Sequence, residues 1–377
     1  MKKNLLLFVF IALTVSAMWA NPVDPSKARN LAQTFWNLQC AQRGGAEFQD
    51  VSAAAGVSHF YIFQNINGDG FVMISGDDCA IPVLGYSDAN NFVTEDMPAN
   101  LRSWLGHYDR TIGNAVADNA VATPEIAQQW ANLEAGLLPV AGTRDAISPL
   151  TLTQWDQTAP FNDMCPGTSS NRSVTGCAAT AMAQVMKYHN WPTTGTGSHT
   201  YSSNYMGYNY NNLSADFGNT TYDWNNMLNT YPYSSSGTAA QRNAVATLMY
   251  HCGVAIEMSY SPEGSGAYIA DLYYYGGSHA SVEYALKTYF KYKTSIHAEW
   301  EEDYTSAQWK NLLKADLRDS LPVVYSGYDE NGESGHAFVC DGFNNSDLFH
   351  FNWGWRGYAD GYFAVNDLTP AGCGSQL

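Results

Sequence analysis

Between Ser173 and Asn190 the chain reads SVTGCAATAMAQVMKYHN, a single cysteine followed by a run of small and apolar residues. Thr175-Gly176 suits a helix cap and places Cys177 at the first turn. There the unpaired backbone N–H groups and the helix dipole stabilise a thiolate. Ala178, Ala179, Ala181, Met182, Ala183, Val185 and Met186 make the helix apolar nearly all round, so it is buried and holds the sulfur rigidly. Most free cysteines are packing residues, and Cys252, late in its own helical pattern, is read as one. Cys177 is instead a candidate nucleophile.

A nucleophilic thiol needs a base within hydrogen-bond reach. His189 lies twelve residues along the same helix, about 18 Å away, which excludes it. His336 in SGHAFVCDGF is the most suggestive histidine, because Gly335 allows close approach and the apolar run Ala337, Phe338 and Val339 makes it the start of a strand. His350 in LFHFNWGW is its competitor.

Other chemistries find little support. Asn65, Asn67, Asp69 and Gly70 have calcium-loop spacing, but Gly76 stands where the last ligand should be, so NINGDG reads as a hairpin turn. The seven cysteines show no CxxC spacing, and no phosphate loop or HExxH is present, so no metal or cofactor is expected. An odd number of cysteines leaves at least one thiol without an intramolecular partner. The sequons at Asn171, Asn212, Asn219 and Asn344 suggest surface loops. A net charge of -17 and the lack of any Lys/Arg cluster argue against nucleic acid or an anionic membrane as partner.

The elements that must position these residues fall into two groups. Residues 1–20, with Lys2, Lys3 and the apolar run from Leu5 to Val15, have the layout of a secretory signal peptide, and imply a secreted chain. No other segment has the roughly 18 apolar residues needed to span a bilayer. Residues 21–140 read as a small α+β unit. It has a helix capped by Asp24-Pro25 with Ala28, Leu31, Ala32 and Phe35 on one face, strands at 59–65, 70–76 and 81–87, and helices around Trp104 and over 123–137. Residues 138–150 read as a linker. Residues 141–377 form a second domain: the Cys177 helix, further helices near 238–252, 279–291 and 306–319, then strands at 322–328, 335–343, 348–353 and 361–366. Helices first and antiparallel strands afterwards is an α+β order. The polar stretch 193–236 is expected to be surface loop.

With Cys177 and His336 identified, the second domain resembles the streptopain family of papain-like cysteine peptidases. TGCAATAMAQVMKYHNWP (175–192) is similar to that family's nucleophile helix, GHAFVCDGF (335–343) to its histidine strand, FHFNWGWRGYADGYF (349–363) to its Asn-Trp-Gly-Trp segment and QTAPFN (157–162) to the element upstream of the cysteine. The first unit resembles the family propeptide, most clearly in ISGDDCAIPVLGYS (74–87). The resemblance implies a papain-like catalytic domain behind an inhibitory propeptide, protein or peptide substrates, and activation by a cut in the linker near Arg144. It implies Cys177 as nucleophile, His336 as base, and Gln157 with the Cys177 N–H as oxyanion hole. Asn352 and Trp353 are alternatives for the group against the imidazole, and Gly335, Gly176 and Trp355 would contact substrate. It also implies a thiolate–imidazolium ion pair. The family continues past VNDLTP with a glycine-rich loop and a last strand, whereas this sequence ends at Leu377. The alternatives to an endopeptidase are a non-catalytic binding protein on the same scaffold and a thiol acyltransferase.

Overall fold

The computed structural model describes residues 21–139, 145–273, 276–277, 279–328, 335–366 and 368–370. Residues 1–20, read as a signal peptide, and Arg144 and Cys373 lie outside these residues.

Helix α1 (Pro25–Gln39) starts as its sequence dictates: the Asp24 carboxylate accepts from the N–H groups of Ser26 and Lys27, and Pro25 occupies the first turn. Ala28, Leu31, Ala32 and Phe35 are buried, and Trp36 joins them. Strand β1 (Phe48–Asp50) and the single-turn α2 (Ser52–Ala55) follow, neither foreseen from the sequence. β2 (Phe60–Asn65), β3 (Phe71–Ser75) and β4 (Val83–Ser87) form an antiparallel meander. The turn between β2 and β3 is closed by Asn65, whose Oδ1 accepts from Glu47 N and Asn67 N and whose Nδ2 donates to Asp69 O, so these side chains serve the turn itself. α3 (Ala99–Ala117) and α4 (Pro124–Glu134) complete the unit, with the Thr123 hydroxyl capping α4 at Ile126 N.

In the second half, the short hairpin β5 (Gly167–Thr168) and β6 (Asn171–Arg172) precedes α5 (Cys177–His189). Next come β7 (Ser198–Tyr205) and β8 (Tyr208–Asp216), a long antiparallel hairpin in the stretch expected to be loop. Alternation there is carried by Ser, Asn and Tyr, with few aliphatics. Only Ser203, Leu213 and Ala215 are buried, which is why periodicity did not reveal it. α6 (Ala239–Ala255) and α8 (Ser306–Arg318) each open with a reciprocal capping box, Thr238 with Gln241 and Thr305 with Gln308. α7 (Val282–Thr288) lies between them. The chain then forms β9 (Val323–Tyr328), β10 (Gly335–Phe343), β11 (Phe349–Asn352) and β12 (Gly361–Phe363). Asn344 departs from the surface reading: it is buried, its Oδ1 accepting from Ser346 N and Leu348 N and its Nδ2 donating to the Tyr86 hydroxyl. Asn171, Asn212 and Asn219 are exposed.

The two halves share one sheet, in the order β1-β2-β3-β4-β12-β11-β10-β9. The seam is β4 against β12, with Tyr86 opposite Tyr362 and Gly85 opposite Phe363. A single apolar core runs across it, from Phe35 and Trp104 to Phe338, Phe351 and Trp353. A second core lies on the other side of β10, between α5, α6, α7 and the β7–β8 hairpin. The start of the second half is already docked: Ile147 pairs with Phe343, and Thr151 N donates to the Asp341 carboxylate at 2.9 Å.

Candidate active site

Cys177 is the first residue of α5, and the helix mouth is left open for it. The residue before it, Gly176, has φ +84° and no side chain caps the helix. The Thr175 hydroxyl pairs with Thr180 Oγ1 at 2.8 Å, and Thr180 in turn donates to Gly176 O at 3.0 Å. Only glycine fits at 176, since a Cβ there would lie 2.7 Å from the Met258 side chain and 2.9 Å from Ser265 O. Of the six cysteines among the described residues, all free, five are buried and Cys177 is partly so. Cys252 is packed in the core, as its helical position predicted.

Three backbone N–H groups act on the sulfur: those of Cys177 and Ala178 at the helix mouth, and that of Ala337 on β10. Burial outweighs them and pushes the thiol above its ordinary value. Burial thus opposes the thiolate that the three N–H groups favour. Ala337 N–H at the sulfur brings the β10 strand across the helix mouth, with partly buried His336 one residue before it and exposed Gly335 at the strand start. His350 is committed elsewhere. Its Nδ1 lies 2.6 Å from the buried Asp341 carboxylate. Burial pulls its pKa down, but Asp341, Asp360 and Asp88 raise it above the ordinary value.

Gln157 reaches the site through its backbone, its carbonyl accepting from Thr175 N at 3.1 Å, two residues before Cys177. Its carboxamide makes no hydrogen bond among the described residues although the residue is only 7 % exposed. Asn352 Oδ1 accepts from Gln184 Nε2 and Gly354 N, both at 3.1 Å, and its Nδ2 donates to Thr153 O at 2.6 Å. The Asn352 side chain thus ties β11 to α5. Trp353 is buried against Phe338, Phe351 and Phe363, with Nε1 donating to Ala359 O at 3.1 Å. Trp355 packs partly buried at the edge of the same core. Gln184, the one amide on an otherwise apolar stretch of α5, also accepts from the Thr153 hydroxyl at 2.8 Å. Its lone polarity on a buried helix was the available signal, and the sequence reading did not single it out.

The first half grips the loop that follows Asn352. Asn100 Nδ2 on α3 donates to Trp353 O at 2.8 Å, and the Trp104 ring meets Phe338, Phe351 and Trp353 edge-on. The Ser87 hydroxyl and Asn90 Nδ2 both donate to Asp360 O, and Ala359 N donates to Asn91 O.

Comparison with known proteins gives the same picture. A model of the peptidase C10 family matches residues 155–363. The chain belongs to the peptidase C10 family. A Spi protease inhibitor model matches residues 20–112, the unit that grips the loop. Streptopain of Streptococcus pyogenes is 32% identical, over 94% of this chain and 90% of its own length. The thiol protease/hemagglutinin PrtT of Porphyromonas gingivalis is 30% identical over the whole chain, which spans 42% of that protein. Among solved structures, a prointerpain A fragment of Prevotella intermedia superposes with a TM-score of 0.69 at 36% identity, covering 87% of this chain and 94% of the fragment. Active interpain A aligns with 58% of this chain and 86% of its own at TM-score 0.52 and 42% identity. As a C10 member with this inhibitor domain, the protein is a cysteine peptidase made as a zymogen, the α+β propeptide preceding a papain-like domain.

Proposed function

We propose that the chain is exported and cleaves proteins internally with Cys177 as nucleophile and His336 as base. The observation that carries this is the Ala337 N–H directed at the Cys177 sulfur, which lays the His336 strand across an uncapped helix mouth. His336 takes the thiol proton and the sulfur attacks the substrate carbonyl. The resulting oxyanion receives the Cys177 N–H and the unpartnered Gln157 amide. His336 then protonates the leaving amine, and water enters by the same route to release the acid. Asn352 and Trp353 hold the β11 end beside this strand. Gly335, Gly176 and Trp355 are proposed to line the substrate path. A cut in the linker near Arg144, followed by departure of the first half, would free the loop after Asn352 from α3. The purified protein should hydrolyse casein under reducing conditions and lose this in Cys177→Ala. Activity that survives the substitution would sink the assignment.

A further inference from the structure

Gln157 lies on a segment without regular structure, between Trp155 and Pro160. An oxyanion donor is useful only when it is held in place, because misplacement by about 1 Å can cost on the order of a hundredfold in rate. Its backbone is held from both directions. On one side its carbonyl accepts from Thr175 N. On the other, its N–H donates to Asp156 Oδ1 at 2.6 Å, and Asp156 Oδ2 accepts from the Thr158 hydroxyl at 2.7 Å and from Arg356 Nε at 2.5 Å.

Arg356 directs three of its side-chain hydrogen bonds at this segment and a fourth at Pro232. Nη2 donates to Thr158 Oγ1 at 3.0 Å and Ala159 O at 3.1 Å, Nη1 to Pro232 O at 3.0 Å, and the Arg356 backbone N–H to Trp155 O at 3.0 Å. Beside it, Gly357 has φ +81°, a backbone conformation that favours glycine, and packs against the Gln154 side chain. The Asp156 side chain is 6 % exposed and that of Arg356 24 %, so the pair is a charge-assisted bond largely out of water with every acceptor satisfied.

Accepting the reading of Gln157 above, we propose that Asp156 and Arg356 are the positioning pair of the oxyanion hole. Arg356, carried on the loop between Trp353 and Asp360, fixes the segment from which the Gln157 amide donates. The pair acts through Gln157 and touches no substrate atom. It also makes the 353–360 loop, which the propeptide grips, part of the machinery that sets the donor.

The test uses the full chain after activation, with Arg356→Ala and Asp156→Asn against wild type. Three quantities are measured: steady-state kcat and KM on a peptide substrate, affinity for a peptide aldehyde, and the rate of iodoacetamide alkylation at Cys177. An aldehyde forms a tetrahedral adduct that needs the oxyanion donor, whereas alkylation reports only the thiol. For Arg356→Ala the expected result is a fall in kcat of about ten- to a hundredfold, KM within about twofold, aldehyde affinity weakened by the same factor as kcat, and alkylation unchanged. If Arg356→Ala does not fold, Arg356→Gln, which keeps a two-donor amide, carries the same comparison. Unchanged kcat and aldehyde affinity, or an equal loss of alkylation, overturns the pairing. Wild-type hydrolysis that survives Cys177→Ala overturns the underlying reading instead, and this inference with it.

Discussion

At the scale of single residues, the state of Cys177 is decided by a contest between burial and three N–H groups. Burial raises the thiol above its ordinary value, and the three N–H groups pull the other way. A protonated thiol is a poor nucleophile. Alkylation of Cys177 by iodoacetamide at pH 6 should therefore be slow in the intact chain. It should speed up at least about tenfold once the first half is removed, since a drop of one pKa unit gives about ten times more thiolate. Equal rates in the two forms would show that the propeptide does not influence the thiol. The other five described cysteines are buried and free, so they should stay unlabelled in the intact chain, and Cys165 and Cys252, in the core of the second half, should stay so after the first half is removed.

At the scale of elements, the contact between β4, β11 and β12 contains a buried acid group. Asp360 is pushed up to about 7 by burial, against the pull of His350 and the Trp353 N–H, and Asp341 adds to the rise. A carboxyl whose folded pKa is raised binds its proton more tightly in the native state. Its contribution to stability is thus fully present below the unfolded value of about 4, and is lost as pH rises toward about 7. His350, also raised, acts in the same sense. Asp360→Asn keeps an acceptor for Trp353 N–H and removes the titration. The melting temperature of the variant relative to wild type should rise steadily between pH 4 and pH 8 in the intact chain, and parallel curves would contradict this. The residue lies directly under the propeptide, whose Ser87 and Asn90 side chains donate to its backbone carbonyl.

At the scale of the whole molecule, the propeptide is half of a continuous sheet and shares a core with the strand that carries His336. Cutting the linker removes only a covalent connection. The β4–β12 pairing, the Tyr86–Tyr362 stack and the Trp104 aromatic contacts remain. A chain cut once between residues 139 and 145 should elute from gel filtration as a complex of both pieces at micromolar concentration, with full activity appearing only after the first piece is degraded or dissociated. Two separate peaks immediately after the cut would show that the shared core is too weak to hold them.

What the sequence determined by itself is what local chemistry dictates. The caps at Asp24 and Thr123, the strands read at 59–65, 70–76 and 81–87 to within two residues of their ends, and the burial of the Cys177 helix all follow from side chains and the backbone within a few residues of them, whereas the cap read at Thr175-Gly176 is not made. The candidate dyad was legible because a cysteine at a helix start and a histidine at a strand start are unusual types in those positions. The β7–β8 hairpin was not, since its alternation is written in polar residues, and neither was the burial of Asn344, whose partners come from a different element. Tertiary structure alone decided that His350 belongs to Asp341, that Asn352 bonds Gln184 and Thr153, and that Arg356 reaches Asp156. These partners are far apart in the chain, and nothing about an isolated aspartate or arginine tells which buried acceptor it will meet. The same holds for the shared sheet, because the pairing of β4 with β12 depends on a whole core closing around it.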